Sequence, residues 1–209
     1  MRISTTAIES FRLWSDPEQE WMDEADLIAT IRGTSVPSHG VLLGSAFGKV
    51  LEAPDTYAVP GGFRCQDFAF GSDVVTPCLE VIDRRGVFEA KAQKTYGDCD
   101  VVARADHLLG LHLSEFKTTL STFDAQKYLD SCQWRFYFDI FEPLIVTYHV
   151  FCLSEATNGV ISLRGIESFN LYPYAELHED CRDLVARFAA YARLRGLDAY
   201  LQQRQKDAA

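Results

Sequence analysis

The chain has 209 residues, of which 47% are apolar and 24% charged, and its formal net charge is −10. That length can bury a full core within one domain, and the composition is that of a globular protein rather than a disordered or fibrous one. The acidity excludes a protein that coats nucleic acid through a generally basic surface, while leaving room for an enzyme with a local basic groove.

Residues 4–14, STTAIESFRLW, predict an opening helix capped by Ser4 or Thr5, with Ile8, Phe11 and Trp14 at three-residue spacing. Asp16-Pro17 predicts the start of a second helix running to about Ile31, with Trp21, Ala25 and Ile28 on one face. Residues 40–53, GVLLGSAFGKVLEA, predict a third, striped by Leu43, Phe47, Val50 and Leu51. Gly44 and Gly48 lie on one side of it and each costs about 1 kcal/mol of helix stability relative to alanine. Close packing against a neighbour and room for substrate near Glu52 explain them equally well. Residues 54–71 read as loop around a Pro60-Gly61-Gly62 turn, and 72–83 as a short helix. Residues 87–96, VFEAKAQKTY, alternate as a strand. Two further strands, 99–108 and 111–117, are joined at Leu109-Gly110.

Residues 123–141 predict a helix in two pieces meeting near Asp130-Ser131 and ended by Pro143. The apolar run 144–153, LIVTYHVFCL, predicts a central strand, and 160–172 one more. From Pro173 an amphipathic helix is expected to about Gln205, burying Leu177, Cys181, Leu184, Phe188 and Tyr191, after which the end frays. This order predicts a single domain, 1–209, of α/β or α+β class, with a central mixed sheet and helices on both faces. A helical N-terminal part (1–83) leads into a core (84–173) and a C-terminal helix (174–205). No apolar run reaches about 18 residues, so no membrane span is expected, and the N-terminus lacks the features of a signal peptide. The six cysteines include no closely spaced pair, which predicts free thiols rather than a metal knot or a disulfide framework.

The chemistry concentrates in Val101–Thr119, VVARADHLLGLHLSEFKTT. Asp106 ends an apolar strand. Glu115 and Lys117, two residues apart on the next, point to one face. Two carboxylates and a lysine on one sheet surface suit Mg²⁺ or Mn²⁺ and phosphodiester hydrolysis. A salt-bridged surface hairpin is the bland alternative, but charges inside apolar central strands need a reason. His107 and His112 flank the acids, and strand alternation turns His107 away from Asp106. Glu89, on the preceding strand, is within reach of the same site. Arg104, Lys94 and Arg135 are candidate phosphate contacts. Downstream, Gln133 and Tyr137 share a helical face, four residues apart.

These residues together resemble the PD-(D/E)XK nuclease superfamily, in its RecB-like, lambda-type exonuclease branch. VARAD (102–106) with SEFKTT (114–119) is similar to that branch's G-R-x-D … D/E-x-K-T core. QWRFY (133–137) resembles its Q-x-x-x-Y helix, and GSAFGKVLE (44–52) its G-x-x-x-H-x-x-L-E helix. The resemblance implies a restriction-endonuclease-like core and a metal-dependent deoxyribonuclease acting on DNA ends in recombination, repair or phage DNA metabolism. It implies Asp106, Glu115 and Lys117 as catalytic, with Asp106, Glu115, the Phe116 carbonyl and Glu52 holding Mg²⁺ or Mn²⁺. Lys117 would position the attacking water. Gln133, Tyr137, Thr118 and Arg104 would meet the DNA, Gln133 and Tyr137 alternatively bracing the site. A single-strand annealing or binding protein, a homo-oligomeric ring and the cytoplasm of a bacterial or phage-infected cell complete what the branch implies. A nuclease-derived binding module that no longer cuts and a structure-specific endonuclease are the competing readings.

Two positions depart from the pattern. The branch's helical histidine is Gly48 here, leaving Glu52, or less favourably His39, to substitute. The cysteines that hold an iron–sulfur cluster in a related branch have no counterpart, so no cluster is expected.

Overall fold

The computed structural model describes residues 1–18 and 22–207, so Trp21 lies outside the described residues. Arg2–Ser4 form β1, Thr5–Ser15 α1, Glu24–Arg32 α2, His39–Glu52 α3 and Pro54–Tyr57 α4. Ala58–Val59, Gly62–Cys65 and Phe68–Gly71 are β2, β3 and β4, and Ser72–Glu80 is α5. Val87–Tyr96, Cys99–Leu109 and His112–Thr119 are β5, β6 and β7. Ala125–Leu129 and Gln133–Phe141 are α6 and α7, Ile145–Glu155 and Ile161–Leu171 are β8 and β9, and Leu177–Leu194 and Asp198–Asp207 are α8 and α9.

The main sheet runs β1-β6-β7-β8-β9, with β5 also paired to β6. Pairs β1–β6 and β7–β8 are parallel and the others antiparallel. The fold is therefore a single α+β domain with a mixed sheet flanked by helices, as the element order predicts. A core of Ile8, Phe11, Phe136, Tyr148 and Phe188 fills one face under α1, α2, α7 and α8. A second core of Phe47, Val50, Phe70, Val75 and Phe151 fills the other under α3 and α5. All six cysteines are buried free thiols. Burial pushes Cys78 and Cys181 up to about 12, which leaves them unreactive. Among the described residues, no helix is long and apolar enough to cross a membrane.

Three expectations are corrected. The second helix does not start at Asp16-Pro17: Asp16 ends α1, and its carboxylate takes the Glu18 amide at 3.0 Å in a tight turn. Asp23 caps α2 instead, accepting from the Asp26 amide at 2.8 Å. Residues 58–71 are not loop but a three-stranded antiparallel sheet, turned at Gly61 and Gln66 with φ of +85° and +54°. Ser4 caps α1 as expected and also ends the three-residue β1, which pairs in parallel with 100–102 of β6. The C-terminal helix breaks in two at Gly196, whose φ is +65°.

Candidate active site

On one edge of β6, residues 100–102 pair with β1 and 107–109 with β7. Among the described residues, 103–106 have no strand partner on that edge. The sheet is split there. Two side chains serve the backbone groups the split leaves open. Asp106 Oδ2 accepts the Phe116 amide at 2.6 Å, and the Tyr137 hydroxyl lies 3.1 Å from the Arg104 carbonyl. The pleat also slips at this point. Ala105 lies in the first core and Leu108, three residues on, packs against it, whereas three steps reverse the face of a regular strand. The slip turns Asp106 into the split.

A cavity of about 500 Å³ opens there. Asp106, Glu115 and Lys117 line it together with Arg104, Glu89 and the α3 residues Gly44, Gly48 and Glu52. Arg84 pins the C-terminus of α3, donating to the carbonyls of Leu51 at 2.5 Å and Glu52 at 2.7 Å. This fixes Glu52 at the rim. The two glycines divide the explanations offered for them. A Cβ on Gly44 would stand 2.6 Å from Thr118 Oγ1, so Gly44 serves close packing. A Cβ on Gly48 would meet nothing within 4 Å, so Gly48 leaves open space beside the acids.

Lys117 Nζ donates to Glu115 Oε1 at 2.7 Å and to Gln133 Oε1 at 2.8 Å. Gln133 Nε2 donates to the Tyr137 hydroxyl at 2.5 Å, which faces Glu115 Oε2 at 2.8 Å. Each oxygen of Glu115 therefore has its own partner, and Gln133 links the two partners to each other. α7 is held for this purpose at its N-terminus, where Glu9 of α1 accepts the Cys132 amide at 2.7 Å. Burial, then the Glu115 charge, push Asp106 up to about 8. Burial pulls Lys117 down, but Glu115 and Asp106 outweigh it and hold the ammonium above its ordinary value.

The structure thus gathers Asp106, Glu115, Lys117, Gln133, Tyr137, Arg104, Phe116 and Glu52 around one split. It does not bear out every role expected of them. Tyr137 is fully buried beneath Glu115, so of the two roles open to it, bracing is the one its position allows. Gln133 is committed to the same network. Thr118 is set against Gly44 of α3, on the opposite face of β7 from Lys117 with which it alternates, and does not itself line the cavity. His39, at the far end of α3, pairs with Glu155 at 2.6 Å and is no substitute ligand. His107 stacks on Phe116 and packs against Phe88 with the rings tilted. His112 bonds Thr147 at 2.7 Å, and Lys94 bonds Asp139 at 2.9 Å, both elsewhere. Arg135 opens onto a different cavity, beside Glu9 and Arg12. Sequence reasoning missed Ser45 and Lys49, which also line the site. Ser45 stands three residues from Gly48, Lys49 three from Glu52, and the two are four apart, the spacing that marks this helical face.

Among the described residues, no set of three His, Cys, Asp or Glu side chains is arranged to hold a metal ion. A small hard cation needs less than that: Mg²⁺ keeps several waters and binds through one or two carboxylates. The all-oxygen pair Asp106 and Glu115, with Glu52 on the rim, fits such an ion, and like-charged carboxylates of which one holds its proton to about pH 8 are what a cation would relieve.

No family model and no curated protein matches the chain. Among solved structures it is similar to a provisionally named exonuclease from Eubacterium rectale, with a TM-score of 0.56 at 10% identity over 93% of this chain and 81% of the other. It is also similar to the alkaline exonuclease LHK-Exo from Laribacter hongkongensis, with a TM-score of 0.48 at 10% identity over 100% of this chain and 95% of that one. At 10% identity the first of these likenesses concerns the fold alone.

Proposed function

We propose that the protein is a metal-dependent DNA nuclease that hydrolyses phosphodiester bonds at DNA ends. The observation that carries this reading is the position of Lys117. Its ammonium is held at 2.7 Å from Glu115, on the strand that parts from β6 at Asp106. That pairing serves no purpose in packing, since an apolar pair would fill the site at lower cost. Mg²⁺ or Mn²⁺, held by Asp106, Glu115 and the Phe116 carbonyl with Glu52 alongside, would supply charge neutralisation and a water acidified for attack. The chain's own groups do the rest. Lys117 orients the attacking water and neutralises charge on the phosphate. Gln133 and Tyr137 fix the angle between Lys117 and Glu115 and keep water from the inner side of both. Arg104 and Lys49 offer N–H donors at the mouth, and Gly48 leaves space for the strand.

Release of nucleotides from linear duplex and single-stranded DNA in Mg²⁺ or Mn²⁺ tests the proposal. Lys117→Ala is expected to lower the rate at least about a hundredfold. Equal rates for wild type and variant would refute it. Circular and forked substrates separate the exonuclease from a structure-specific endonuclease. Gly48 in place of the branch's helical histidine, with the net charge of −10, motivates a second reading, a binding module that no longer cuts. Titration calorimetry decides between them, because an inert module takes up no Mn²⁺.

A further inference from the structure

Glu89 has no role in the chemistry above, yet β5 departs from a regular strand to aim it at the cavity. Its φ of +56° is in the left-handed region, at a cost of about 1–2 kcal/mol for a residue with a Cβ. The conformation slips the pleat. Tyr96 lies in the first core, and Phe88, eight residues back, packs against the second, although an even step preserves the face of a regular strand. Phe88 is thereby half-buried beneath Arg84 and beside His107, and Glu89 turns to the cavity.

There its Oε2 lies 2.7 Å from Arg104 Nε. Arg104 precedes Asp106 by two residues, lines the same cavity and is 60% exposed. An arginine carries five N–H donors in a rigid plane. An ion pair at Nε restrains the guanidinium and leaves the two Nη groups as an open fork, which matches two oxygens of a phosphate. Among the described residues, nothing else takes those Nη groups by a hydrogen bond or ion pair.

We propose that Glu89 is a positioning residue, holding the Arg104 guanidinium at the cavity mouth so that its Nη fork receives a backbone phosphate of the bound strand. The proposal rests on the nuclease reading for the identity of that phosphate. A carboxylate so close to a polyanion repels it, so the sign of the effect on removing Glu89 is decisive: a pure electrostatic obstacle would bind DNA better without it.

The experiment uses a short fluorescent linear duplex, bound in Ca²⁺ and read by anisotropy, then cut in Mn²⁺. Glu89→Gln and Arg104→Gln should each raise Kd and KM roughly five- to tenfold and leave kcat within about twofold. The double variant should bind no worse than Arg104→Gln alone, since Glu89 acts only through Arg104. Glu89→Asp, which keeps the charge and tolerates the left-handed backbone, should recover most of the loss, and Mn²⁺ affinity should not move. Tighter binding by Glu89→Gln, additive losses in the double variant, or weakened Mn²⁺ binding would each overturn the proposal. A wild type that binds the duplex without cutting it refutes the hydrolytic reading alone, because the coupling is still read from Kd. A wild type that does not bind the duplex overturns the positioning role itself.

Discussion

Tyr137→Phe removes one hydroxyl and keeps the ring that packs α7 against the sheet. The residue is fully buried, so water cannot replace the lost group. Its hydroxyl takes the Gln133 amide at 2.5 Å and faces Glu115 Oε2 at 2.8 Å and the Arg104 carbonyl at 3.1 Å. A hydrogen bond to a charged group contributes about 1.5–3 kcal/mol, and the amide and carbonyl left behind add to the cost, giving a loss of about 2–4 kcal/mol. For a chain of 209 residues this lowers Tm by roughly 5–15 °C. Activity should fall about 10- to 100-fold, because Glu115 and Lys117 lose the member that fixes their angle. Urea denaturation of the metal-free protein gives the first quantity and nucleotide release the second. Gln133→Leu, alone and combined with Tyr137→Phe, closes a double-mutant cycle whose coupling should be about 0.5–3 kcal/mol. A stability loss below about 0.5 kcal/mol, or additive losses, would refute the reasoning that these side chains act as one brace.

The two glycines of α3 should respond in opposite directions. Gly48→Ala meets no atom within 4 Å and should stabilise the metal-free protein by about 0.5–1 kcal/mol, whereas Gly44→Ala meets Thr118 and should destabilise it by about 1–3 kcal/mol, both read by denaturant midpoint. Asp106 keeps its proton to about pH 8 in the folded metal-free protein, against 3.8 ordinarily, so the folded state holds more protons than the unfolded one across that window, and its stability should fall as pH rises through it. A metal that displaces this proton should release about one proton per ion at pH 7 and bind more tightly as pH rises toward 8. Calorimetry of Mn²⁺ in buffers of different ionisation heat measures this, and zero release would count against Asp106 as a ligand. Arg84→Ala leaves the Leu51 and Glu52 carbonyls without their cap and should cost about 1 kcal/mol with a fraying last turn of α3, visible in hydrogen exchange.

What was readable from residues alone follows the strength of the local pattern. β5, α3 and the two pieces around Asp130-Ser131 lie where periodicity and turn residues place them. So do Asp106, Glu115, Lys117, Gln133 and Tyr137, because a charge in an apolar strand and a polar pair at helical spacing are visible without a structure. β1 and the 58–71 sheet were not readable: strands of two to four residues are too short to show a period of two, and their pairing is decided by distant partners. The pleat slips at Glu89 and Asp106 leave the sequence pattern looking like ordinary alternation. Thr118 follows Lys117 in the sequence and so is easily assigned to its site, yet adjacency along a strand places it on the opposite face.

The split between β6 and β7 bears on how this fold resists change. Strands that run side by side tend to zip together, and here an aspartate acts as the wedge that stops them: its carboxylate takes the Phe116 amide that a neighbouring strand would otherwise claim. The acid assigned to the metal is thus also a structural obstacle to a more regular sheet. Replacing Asp106 with a β-branched apolar residue would remove both a buried like-charge pair and the wedge, and the strands would be free to close over the cavity. A descendant of this protein released from its chemistry has an easy route to greater stability, and that route erases the site by sealing the sheet.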